Sequence, residues 1–109
     1  MSEIKIPFND WSRERLKNKT KLATTRNKIY GDYKDTFIVP IDGTNYKYEL
    51  LAVFPMMLTH VSIFLYHIEG ADTPLEFVNV WCDIHKRAGW TPNKIVQVHL
   101  FRLIEILPC

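Results

Sequence analysis

The 109-residue sequence is short of cysteine and has no internal repeat, no low-complexity stretch and no apolar run of bilayer length. Its two cysteines are Cys82, inside a helical pattern, and the terminal Cys109. They suggest neither a disulfide framework nor a zinc knuckle, so a reducing, cytoplasmic compartment fits best. The opening residues Met1-Ser2-Glu3-Ile4-Lys5-Ile6-Pro7 hold no apolar core of signal-peptide length. The segment Leu50 to Tyr66 is apolar apart from Thr59, His60 and Ser62, carries Pro55 and His60 near its middle, and lacks cationic flanks. It falls short of the roughly 20 residues that a membrane-spanning helix needs, so a buried strand followed by a short helix is expected, and no membrane partner. With 47% hydrophobic and 13% aromatic residues, the chain has material for one core, and a single domain over residues 1–109 is expected.

What the sequence does have is charge, unevenly placed. Between Arg13 and Lys34, eight lysines and arginines face only Glu14 and Asp32, which puts that segment at +6 in a chain of net charge +2. Such a segment either solvates a helix face or attracts a polyanion such as RNA, with Arg13, Arg15, Lys17, Lys19 and Lys28 as candidate phosphate contacts. Inside it lies the hexamer Lys21-Leu22-Ala23-Thr24-Thr25-Arg26. A lysine of lowered pKa can carry a proton, a threonine can act as an alcohol nucleophile, and an arginine gives a fixed fork for a carbonyl, carboxylate or phosphate.

Local signals give an α+β order. Asn9 or Asp10 can cap a helix running to about Asn18, with Phe8, Trp11 and Leu16 as its thin apolar stripe. The hexamer follows as a turn or strand entry. A strand is expected over Thr36 to Val39, then a hairpin turn at Asp42-Gly43 and a strand from near Tyr46 past Val53. Thr73-Pro74-Leu75-Glu76 combines a capping threonine, proline at the first helical position and a glutamate placed to close a capping box. The helix it opens carries Phe77, Val80, Trp81 and Ile84 on one face, is expected to end near Gly89, and should bury Trp81. Lys94 to about Ile106 is β-prone and reads as a closing strand.

This order, with K-x-x-T-x-R at 21–26, Ile68-Glu69-Gly70-Ala71 leading into Thr73-Pro74-Leu75-Glu76-Phe77, and Trp81 before a C-terminal strand, resembles the ASCH domains over nearly the whole chain. The resemblance implies a PUA-like ASCH β-barrel with flanking helices. Relatives of that size include N4-acetylcytidine amidohydrolases; other ASCH proteins are ribonucleases or bind RNA. The amidohydrolase pattern falls on Lys21, Thr24 and Arg26, and the family's catalytic glutamate on Glu69. The resemblance also makes Ser62 to Ile68 a short helix, where composition alone suggests strand. Many members have a Gly-Asp turn where this chain has Lys34-Asp35, leaving Gly31 as the expected flexible position.

The implied reaction fits these side chains. Removing an acyl group from the exocyclic nitrogen of cytosine needs a nucleophile, a base and groups that hold the ring, roles that Thr24, Lys21, Glu69 and Arg26 can fill. Thr25 is a rival nucleophile, but strand geometry puts only Thr24 on the face of Arg26. The expected function is hydrolysis of an acylated pyrimidine nucleoside without metal or cofactor; the alternative is an RNA-binding module, with or without ribonuclease activity. Cys82 and His85 stand one helical turn apart, but two ligands do not make a metal site. His60, His67 and His99 are expected as polar tips at element edges, and Tyr30, Tyr33 and Trp90 as base-stacking or core-covering aromatics.

Overall fold

In the computed structural model, which describes residues 1–108, the chain is organised around one hairpin and the long strand that pairs with it. β3 (Thr36–Ile41) and β4 (Thr44–Met57) are joined by Asp42 and Gly43, both at positive φ (50° and 76°), the backbone that a tight two-residue hairpin demands. β4 pairs antiparallel with β5 (Ile95–Pro108) from Thr44↔Pro108 to Met57↔Ile95. Register shifts at Lys47/Tyr48 and Leu50/Ala52 mark bulges in this ladder, which bend and twist such strands. β3 covers β4 only as far as Glu49, so Pro55 lies where β4 has β5 as its sole sheet neighbour among the described residues. Its missing N–H therefore costs no ladder bond on the other side.

The other edge of β5 receives β2 (Ala23–Arg26), antiparallel, while β1 (Glu3–Ile4) runs parallel to β3. The sheet order is β1-β3-β4-β5-β2. The expected α+β, PUA-like architecture is present, but the sheet is not closed. Its edge strands are only two and four residues long and make no ladder with each other among the described residues.

Among the described residues three helices flank the sheet: α1 (Asp10–Lys17), α2 (Leu58–Phe64) and α3 (Pro74–Ile84). Asn9 caps α1, its side chain accepting from the N–H of Ser12. α2 begins at Leu58, earlier than expected, because the buried Leu58 and Val61 give a helical rather than an alternating apolar pattern; turns then carry the chain to Gly70. Among the described residues no helix is long and apolar enough to cross a membrane. Thr73 caps α3 through the N–H of Glu76, while the Glu76 carboxylate reaches back to the N–H of Asp72 instead of Thr73. α3 stops at Ile84, short of Gly89, where His85 leaves helical geometry and stacks its ring on Trp81 at 4.0 Å.

The turn before β3 corrects another expectation. Lys34 itself takes the left-handed conformation (φ 71°), whereas Gly31 does not and instead sits close against the side chains of Ile4, Asp35 and Leu50. The Asp35 carboxylate fastens this turn by accepting from the N–H groups of Ser2 and Asp32, which hold its pKa below the usual carboxylate value.

Two buried clusters form the core. One groups Phe8, Leu16, Phe37, Tyr48, Leu50 and Phe101 around β3 and the first half of β4; the other groups Ala23, Leu58, Val61, Phe77, Trp81 and Val98 beneath α2 and α3. The stripe expected on α3 divides in depth: Phe77 and Trp81 are buried and Ile84 is exposed, and all four side chains, Val80 included, line a cavity where the two clusters meet.

Candidate active site

Strand β2 and the turn ending at Gly70 build this cavity together. The N–H groups of Leu22 and Ala23 both bond the carbonyl of Ile68, at 2.6 and 3.0 Å, which lays the turn along the start of β2 and brings Glu69 beside it. Only glycine suits the next position. Gly70 has φ +99°, and a Cβ there would lie 2.8 Å from Arg15 Cγ and 3.3 Å from Lys21 Cβ.

The result is a buried charged pair. Lys21 is 4% exposed and Glu69 3%. Lys21 Nζ donates to the Glu69 carbonyl oxygen at 3.0 Å and lies 3.4 Å from Oε1, while Thr25 Oγ1 donates to Oε2 at 2.7 Å. Burial pushes the Lys21 pKa down, with Arg26 adding to the effect and Glu69 opposing it. On the other face of β2, Arg26 Nε donates to Thr24 Oγ1 at 3.0 Å, so Thr24 and Arg26 share a face as strand periodicity requires. Arg26 Nη2 donates to the carbonyl of Pro7 at 2.6 Å, and the guanidinium lies over the rings of Phe8 and Tyr30.

Lys21, Thr24, Arg26 and Glu69 thus line one cavity of about 600 Å³. That volume suits a small organic ligand. Thr25 lines it as well, so strand geometry separates the partners of the two hydroxyls without excluding either from the cavity. The opposite wall is apolar, formed by Trp11 and the α3 side chains Phe77, Val80, Trp81 and Ile84.

The basic residues divide differently. On and after α1, Arg13 pairs with Asp10 at 3.7 Å, Arg15 with Glu14 and Glu76 at 3.5 Å each, and Lys17 with Asp42 at 2.7 Å. Lys19 is exposed in the turn beyond the helix. Of the five candidate phosphate contacts, Lys28 alone lines the cavity, its ammonium 4.8 Å from the ring centre of Tyr30. The acids that neutralise the segment come partly from outside it, which no count within residues 13–34 reveals. Among the described residues no three His, Cys, Asp or Glu side chains gather as a metal site would require. Cys109 lies outside the described residues.

His99 overturns its expected place at an edge. It is fully buried, and its Nε2 accepts from the N–H of Tyr30 at 3.1 Å. Nδ1 faces the carbonyls of Gln97 (3.1 Å) and Thr24 (3.3 Å), so the neutral ring carries its proton on Nδ1. Burial lowers its pKa. The ring ties β5, β2 and the Tyr30 loop together and so positions Thr24 and Tyr30. A histidine in a run of β-formers was the one hint in the sequence; its acceptor role depends on a loop backbone that the sequence does not locate. Tyr33 is exposed and Trp90 packs half-buried on the second cluster, which leaves Tyr30 as the cavity aromatic of the three.

No family model and no curated protein sequence matches the chain. Solved structures do. An ASCH domain from Lactobacillus crispatus JV V101 superposes with a TM-score of 0.64 at 12% identity, covering 94% of this chain and 78% of that one. The fold is that of an ASCH domain. A DUF984 protein from Enterococcus faecalis V583 superposes on this chain equally well, with a TM-score of 0.65 at 16% identity over 96% of this chain and 80% of that one. Both superpositions cover nearly all of the present chain.

Proposed function

We propose that this ASCH-fold protein is a small amidohydrolase that removes the acyl group from the exocyclic nitrogen of an acylated pyrimidine nucleoside of the N4-acetylcytidine type. The observation that carries this reading is the buried Lys21–Glu69 pair opening onto the same cavity as Thr24 and Arg26. Thr24 Oγ attacks the acyl carbon and passes its proton to the neutral form of Lys21, which burial makes easier to reach than in a free lysine. The Arg26 hydrogen bond to Thr24 Oγ1 stabilises negative charge developing on that oxygen. As the C–N bond breaks, the protonated Lys21 returns the proton to the departing nitrogen, cytidine leaves, and water then hydrolyses the threonyl ester to free acid and Thr24. Glu69, fixed by Lys21 and Thr25, holds Lys21 in place and presents a carboxylate acceptor to the pyrimidine edge. The reading names no metal or cofactor and places the protein in the reducing cytoplasm, consistent with the free thiol of Cys82.

Substitution at Lys21 and Glu69 tests the roles. Lys21→Ala is expected to lower turnover of N4-acetylcytidine by orders of magnitude. Glu69→Gln lowers kcat if the carboxylate carries a proton and raises KM if it positions the ring. Full activity in Lys21→Ala would remove the proposed base.

One observation favours a second reading, an RNA-binding module. Arg26 and Lys28 both lie over the Tyr30 ring, a combination of cations and aromatic face that suits an unstacked base and its phosphate. Against it, the α1 cations that would extend a phosphate track are paired with carboxylates.

A further inference from the structure

The cavity holds more positive charge than its own acids balance. Its lining includes Lys21, Arg26 and Lys28 but a single carboxylate, Glu69, and that carboxylate is committed to Lys21 and Thr25. Arg26 and Lys28 have no ion-pair partner among the described residues. Both nevertheless lie over one ring, Tyr30, with Arg26 at 5.5 Å and Lys28 at 4.8 Å from its centre. Two like charges gathered on one aromatic repel each other, and the ring quadrupole offsets only part of that cost. Arg26 gives Nε to Thr24 and Nη2 to the Pro7 carbonyl, neither of them an anion, so its charge and that of Lys28 stay unmatched, in contrast with α1, where Arg13, Arg15 and Lys17 each meet a carboxylate.

A neutral acylated nucleoside would leave that charge unmatched. We infer that the Tyr30 end of the cavity is a phosphate subsite, and that the preferred substrate is the 5′-monophosphate of the acylated pyrimidine nucleoside rather than the nucleoside itself. This inference rests on the nucleoside reading of the cavity. Arg26, with Nε and Nη2 already donating to Thr24 and Pro7, offers Nη1 and its charge, and Lys28 a mobile point charge, a combination that suits a phosphate. Tyr30 offers its face beneath them, and its backbone is fixed by the bond from its N–H to His99, which holds the subsite in register with Thr24 on the neighbouring strand. A single terminal phosphate is favoured over a polymer because the cationic track does not continue unpaired along α1.

Equilibrium binding of cytidine and cytidine 5′-monophosphate to the wild-type protein, measured by titration calorimetry at low and moderate salt, tests this without any turnover. The monophosphate is expected to bind at least ten-fold more tightly, with an advantage that shrinks as salt rises. Lys28→Glu should reduce the advantage below three-fold, and Lys28→Arg should keep most of it. Equal affinity for the two ligands, binding of neither, or an unchanged advantage in Lys28→Glu would overturn the subsite. Tighter binding of a short oligocytidylate than of the monophosphate, with a steeper salt response, would replace it with a polymer-tracking groove. Because binding is read separately from hydrolysis, a phosphate advantage in a protein that hydrolyses nothing would refute the amidohydrolase reading alone.

Discussion

Replacing Glu69 by Gln removes one charge and almost no volume, and its cost follows from where Lys21 lies. The glutamine oxygen can still accept from Thr25, so the main loss is the anion facing a lysine that is 4% exposed. Leaving one member of a buried pair without its partner costs about 3–5 kcal/mol. Lys21 can escape by losing its proton, which sets a ceiling. From its ordinary value of 10.5 to pH 7 is 3.5 pH units, and at about 1.36 kcal/mol each this gives about 4.8 kcal/mol. The sign follows from the lowered pKa: between the folded value and 10.5 the unfolded chain binds more protons, so stability rises with pH. At pH 9 the same ceiling falls to about 2 kcal/mol. Urea titrations of wild type and Glu69→Gln should therefore show a deficit of at least about 3 kcal/mol at pH 7 that narrows at pH 9. For a domain of this size that deficit corresponds to a melting temperature about 12 °C lower or more. Lys21→Met/Glu69→Gln, which removes both charges, should recover most of the loss. A Glu69→Gln protein within about 0.5 kcal/mol of wild type at pH 7 would show an ordinary surface pair and refute the reasoning.

The other predictions concern the nucleophile, the buried histidine, the glycine beside the site and the basic segment. Thr24→Ser should keep part of the amidase activity, since the attacking oxygen survives and only the methyl that restricts its rotamer is lost; activity as low as in Thr24→Ala would assign the methyl an essential role. His99 stays neutral in the fold at pH values where the unfolded chain protonates it, so its contribution is lost as pH falls below 6.5, and the stability gap between wild type and His99→Leu should narrow there; a constant gap in melts at pH 5 and 7.5 would argue against burial of the neutral ring. Gly70→Ala should destabilise by about 1–3 kcal/mol from backbone strain alone, and more because its Cβ meets Arg15, as thermal melts would show; an unchanged melting temperature would mean that the turn rearranges freely. If RNA binds, the paired cations of α1 predict a shallow fall in affinity with salt, and a steep slope in fluorescence titrations would indicate that those pairs open for phosphates.

Local chemistry made much of the fold legible. Asn9, Asp42-Gly43 and Thr73-Pro74 each announce a cap or turn through a backbone requirement that few other residues meet, and the structure places α1, the β3–β4 hairpin and α3 where they say. The misplacements occurred where tertiary contacts decide. α2 starts four residues before Ser62 because Leu58 and Val61 find a common core, and Lys34 adopts positive φ because Asp35 secures the turn through two backbone N–H groups. In the site, the spacing of Lys21, Thr24 and Arg26 was readable and Glu69 came from family resemblance. That Thr25 rather than Thr24 bonds Glu69 depends on how the turn before Gly70 docks on β2, a long-range event that spacing does not encode. His99 illustrates the same limit, since the N–H it accepts from lies 69 residues away.

The most direct measurement is the time course of cytidine formation from N4-acetylcytidine, run side by side with purified wild-type and Thr24→Ala proteins whose folding is matched by circular dichroism. The account predicts catalytic release of cytidine and acetate by the wild type and a rate lower by orders of magnitude in Thr24→Ala. Undiminished hydrolysis by Thr24→Ala would move the nucleophile elsewhere, and no release by the wild type, from the nucleoside or its 5′-monophosphate, would contradict the amidohydrolase.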